Sequence, residues 1–131
     1  MATYLRFQTL NRDLRSGSPE GLFTRAYALV RSPNVPAVLQ ESLRKQLRWF
    51  SVHLAVPVKF TRTRHSSHKN THGIGWIKDS ASEIITRMHE LSRTVEQLGY
   101  SVEVVRTSRP GYIVYEDHHQ IVAEPFHGES R

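Results

Sequence analysis

The chain has 131 residues, the length of one ordinary domain with a single hydrophobic core, and 38% of them are hydrophobic against 23% charged. No run approaches the roughly 20 apolar residues of a membrane span, and the N-terminal stretch lacks the apolar core of a secretory signal, so a cytoplasmic protein without a membrane role is expected. There is no cysteine, which excludes disulfides, thiol nucleophiles and cysteine-ligated zinc; the formal net charge is +6.

The elements follow in chain order. Residues 3–9 alternate Tyr4, Arg6 and Gln8 with Leu5 and Phe7, the period of a half-buried strand. Ser18, Pro19 and Glu20 read as a helix entry, because serine can cap free N–H groups, proline suits the first helical position and glutamate favours the positive end of the dipole. That helix is predicted to run to Val30 with Leu22, Phe23, Ala26, Tyr27 and Val30 in one stripe. A second helix over 36–50 turns Leu39, Leu43, Leu47 and Phe50 inward and Arg44, Lys45 and Arg48 outward. Residues 53–60 have strand composition, but Pro57 restricts them to an edge or a bulge.

Residues 59–72 contain four Lys/Arg and no acid, so the basic excess lies in the polar basic loop at 61–72 and in the N-terminal half, while the final hairpin is mildly acidic. GIGWI at 73–77 returns to strand. Ser80 and Glu83 have capping-box spacing, and Ala81, Ile84, Ile85, Met88, Leu91, Val95 and Leu98 fall on one face of a third helix that Gly99 stops. Three strands close the chain, with Pro110-Gly111 at one turn and a flexible tail expected at 127–131. The order β-α-α-β-β-α-β-β-β, with short final links, predicts one α+β domain. It is a two-layer sandwich of a mainly antiparallel sheet, with a C-terminal meander packed against helices.

Three places can carry function. Lys59, Arg62, Arg64 and Lys69, with Trp76 beyond them, have the composition that tracks phosphates and stacks a base, although no recognised nucleic-acid motif accompanies them. His65, His68 and His72 repeat as H-x2-H-x3-H, but a solvated loop explains them better, because no acid lies among them and neighbouring cations repel a dication. At the tip between the last two strands, Asp117, His118 and His119 offer ligand chemistry. Adjacent residues on an extended segment face opposite sides, and Asp is itself a turn former, so a simple reversal of the chain is the simpler reading.

Motifs for nucleotide binding, serine hydrolysis or zinc proteolysis are absent, and no cofactor is expected. Glu103, Glu116, Asp117 and Glu124 supply acids for a metal-dependent hydrolase or nuclease, with Lys78 the nearest lysine in sequence but in another element. The leading expectation is a small non-enzymatic interaction module that binds a protein partner or acidic surface. A nucleic-acid binder using the 59–72 loop is the alternative. An exposed edge near Pro57 or in the final strands is a further place for pairing between chains. The pair Trp49-Phe50, the glycine, tryptophan and lysine around Trp76, and the closing RPGYIVYED…QIVAEPF resemble a group of small bacterial proteins of uncharacterised function. That resemblance implies a bacterial origin and brings no activity and no site residue.

Overall fold

The computed structural model describes residues 2–12, 19–57 and 73–126. Six strands form one antiparallel sheet with three helices packed on one face, the expected α+β two-layer arrangement. The strands are β1 (Tyr4–Arg12), β2 (Pro19–Gly21), β3 (Ile74–Lys78), β4 (Val102–Thr107), β5 (Tyr112–Glu116) and β6 (Gln120–Glu124). The helices are α1 (Leu22–Val30), α2 (Ala37–His53) and α3 (Ser82–Gln97).

The N-terminal boundary differs from the helix entry expected at Ser18-Pro19-Glu20. Pro19 and Gly21 pair with Arg12 and Gln8 of β1, and α1 begins only at Leu22 with no side-chain cap. The physical reason lies in Glu20, whose buried carboxylate accepts from the Thr9 hydroxyl and from two nitrogens of Arg25, each at 2.9 Å. Held by both β1 and α1, Glu20 has no freedom to enter a helix. Tyr27, expected in the inward stripe, is exposed, and Leu29, which lay outside that stripe, is buried instead.

α2 extends to His53 and so removes the start of the strand expected at 53–60; residues 54–57 form no strand and 58–60 lie outside the described residues. Leu43, Leu47 and Phe50 face the core as expected. The Gln40 amide donates to the carbonyls of Val30 and Ser32, satisfying backbone acceptors at the turn between α1 and α2. α3 is preceded by Ala81 and carries no side-chain cap, so the Ser80/Glu83 capping box does not form. Glu83 remains in the first turn, where a negative charge suits the helix dipole.

Leu5, Phe7, Ile77 and the inward faces of all three helices make the main core. On the other face of the sheet Tyr4, Ile74, Trp76, Ile121 and Ala123 make a second buried cluster. The last three strands are not consecutive neighbours. β5 and β6 pair as a hairpin beside β3, whereas β4 pairs with β1 over six residues.

Residues 108–111 must therefore join strands at opposite edges of the sheet. In a flat sheet those edges would be roughly 19 Å apart, before any offset along the strands, and a link of this length spans roughly 18 Å at most. The sheet is consequently curled, and β4 and β5 approach one another at that link without forming a pair. Gly111 is required there: its φ is +131°, and a Cβ would lie 2.1 Å from the Glu124 carbonyl oxygen.

Candidate functional site

The hairpin tip is built around Asp117. Its Oδ1 accepts from the backbone N–H groups of His119 (2.9 Å) and Gln120 (3.0 Å), and its Oδ2 accepts from the Tyr115 hydroxyl (2.7 Å) and the Gln120 amide (2.9 Å). Burial alone would push this carboxyl upward, but the donors from Gln120, His119 and Tyr115 outweigh it and hold it below the usual carboxylate range. Reciprocally, the bond to Asp117 is the main cause that raises the Tyr115 hydroxyl above its ordinary value.

With four donors, the Asp117 oxygens are committed to shaping the turn. The rings of His118 and His119 meet edge to face at 4.9 Å. Among the described residues, no three His, Asp or Glu side chains are gathered to hold a metal. Gln120 also donates to the Ala55 carbonyl at 2.6 Å, tying the tip to the segment that follows α2. Lys78, distant in sequence, forms an ion pair with Glu116 at 2.6 Å.

The basic-loop candidates Lys59, Arg62, Arg64 and Lys69, and the histidines His65, His68 and His72, lie outside the described residues. Trp76 does not offer the open stacking face expected of it. It is only 2% exposed, in the cluster opposite the helices, and its indole N–H has no hydrogen-bond partner among the described residues. Trp49 is half-buried, with the His53 ring stacked on it at 4.2 Å and the Arg87 guanidinium 4.6 Å from its centre. Its faces are thus already in use.

The feature that stands open is β4. Successive residues of a strand turn their N–H and C=O groups to alternate edges. The Thr3 carbonyl accepts from the Asp79 N–H at 3.1 Å on the β3 side, so Tyr4, Arg6 and Gln8 turn their backbone groups to β4. Their partners Thr107, Val105 and Glu103 are engaged in return, and Val102, Val104 and Arg106 point outward. The Val102 N–H confirms the alternation by reaching the Glu96 carboxylate at 3.4 Å. Beyond it, no strand among the described residues pairs with the outer edge.

Side chains on this edge are exposed too. Val104 is 37% exposed on the helix side, flanked by Arg106; Glu103 stands on the opposite side and accepts from the Gln8 amide at 2.9 Å. The expected meander offers the final strands as a place for pairing between chains but sets β5 beside β4, so β4 is not singled out. The alternation VEVVRT, with a charge for each face, was the available signal. No family model matches the chain, and neither a characterised protein nor a solved structure matches it.

Proposed function

We propose that the protein is a non-enzymatic interaction module whose β4 edge takes up an extended segment of a protein partner. The observation that carries this reading is the outward-facing backbone of Val104 and Arg106 on a six-residue edge strand without proline or bulge. Such an edge is a template for β-strand addition, in which backbone hydrogen bonds give affinity and alternate side chains give selectivity. The test is Val104→Pro, which deletes an outward N–H while sparing the ladder to β1. The variant is expected to stay folded and to lose partner binding; full binding by the folded variant would overturn the proposal.

A second reading rests on α2. Arg44, Lys45 and Arg48 are exposed on its outer face, and among the described residues their only ion pair is a loose one, 3.8 Å between Arg44 and Glu41. Such a surface suits phosphates. Titration of salt against DNA and RNA discriminates, since phosphate neutralisation makes affinity fall steeply with ionic strength. Absence of binding at low salt would remove nucleic acid as the ligand.

A further inference from the structure

We infer that the segment docking on β4 is antiparallel and carries an acidic residue opposite Arg106 and, three positions later, a basic residue opposite Glu103. This rests on the edge-docking proposal and adds the chemistry of the occupant. Residues directly opposite in an antiparallel pair share a face of the sheet, so each exposed side chain of β4 selects one side chain of the incoming strand.

Arg106 lies opposite Leu5, on the helix side, and makes no ion pair among the described residues. Glu103 lies opposite Gln8, on the other face, and of its two oxygens Oε1 accepts the Gln8 amide. Between them Val104 and Val105 favour β-branched neighbours. The complement is therefore an acidic residue, two β-branched residues and a basic residue, read from N- to C-terminus.

A second copy of this chain does not meet that requirement. A two-fold axis through a continuous sheet pairs β4 residues of like facing, whereas Glu103 and Arg106 face opposite sides. Centring the pair on Val104 sets Glu103 against Val105 and Arg106 against Val102; centring it on Val105 sets Glu103 against Thr107 and Arg106 against Val104. In both arrangements the charges meet no opposite charge. An unrelated extended segment has no such constraint.

The probes are two end-blocked peptides of equal composition, Thr-Glu-Val-Val-Lys-Thr and its charge-exchanged form Thr-Lys-Val-Val-Glu-Thr, titrated into the isotopically labelled full chain. The first is expected to bind roughly three- to tenfold more tightly, the range that two matched cross-strand pairs support. It should perturb the Val104 and Arg106 amides, and the preference should shrink in about 1 M salt. The variant carrying Glu103→Lys with Arg106→Glu is expected to reverse the order.

Equal binding of both peptides at the same amides would leave edge docking standing and overturn the charge rule. Failure of both to perturb β4 would overturn edge docking with it. Self-association of the chain through β4, seen by sedimentation and abolished in Val104→Pro, would make a second copy the occupant and refute the inference.

Discussion

Asp117 shows how one side chain fixes a turn. Replacing it with alanine removes the acceptor for four donors, and loss of such local bonds should cost about 1–2 kcal/mol of stability, read as a lower denaturation midpoint. Its carboxyl is held below the ordinary range, so the charged form is the one that the fold prefers. The contribution is fully present above the unfolded-state pKa of about 3.9. It is lost as pH falls through the lower folded value. The stability gap between wild type and Asp117→Asn should therefore narrow on acidification from about pH 5. A gap that stays constant down to acid denaturation would show that ionisation of Asp117 contributes nothing. The turn-forming role was legible in the sequence because Asp between two strand patterns has few other uses. The partners were not, since Tyr115 and Gln120 reach it only when the hairpin has its actual register.

That register contains an irregularity invisible to a period of two. Ile113 pairs with Ala123 and Tyr115 with Val122, so the shift between them puts Ile113 and Tyr115 on opposite faces, contrary to strict alternation. Helices were more legible, because an apolar face repeats over several turns and one misplaced residue does not erase it. In α3 the expected stripe packs inward, with Leu91 fully buried and Ile85 only half-buried. Leu91→Ala should cost about 2–5 kcal/mol and Ile85→Ala distinctly less, measured by denaturant unfolding. Equal costs would mean that the two share the same packing. Helix ends are not legible where a buried carboxylate decides the issue, as at Glu20, since nothing local in the sequence reveals its distant partner Thr9.

Strand β4 separates two kinds of backbone damage within one element. Val105→Pro removes an N–H that faces β1 and should destabilise the sheet; Val104→Pro removes one that faces outward and should be tolerated. Comparable midpoint losses in the two variants would mean that the outward edge is structurally occupied.

At the scale of the whole molecule, alternating strand and helix signals were sufficient for the two-layer class. Strand order was not, because the sequence records which elements exist and how short the links are, while pairing is decided by long-range fit. The short link at 108–111 invites a meander; curling of the sheet lets the same link join opposite edges and, among the described residues, leaves β4 paired on one side only. No described helix is long and apolar enough to cross a membrane. The charge of the molecule is carried in part by the outer face of α2.

Hydrogen exchange at single amides of β4 tests the edge most directly, because protection reports hydrogen bonding in the folded state. In the free chain the amides of Glu103, Val105 and Thr107 should exchange slowly and those of Val104 and Arg106 rapidly. With saturating Thr-Glu-Val-Val-Lys-Thr, Val104 and Arg106 should become protected while the others change little. Slow exchange at Val104 and Arg106 in the free chain, or rapid exchange there that the peptide leaves untouched, would contradict the account.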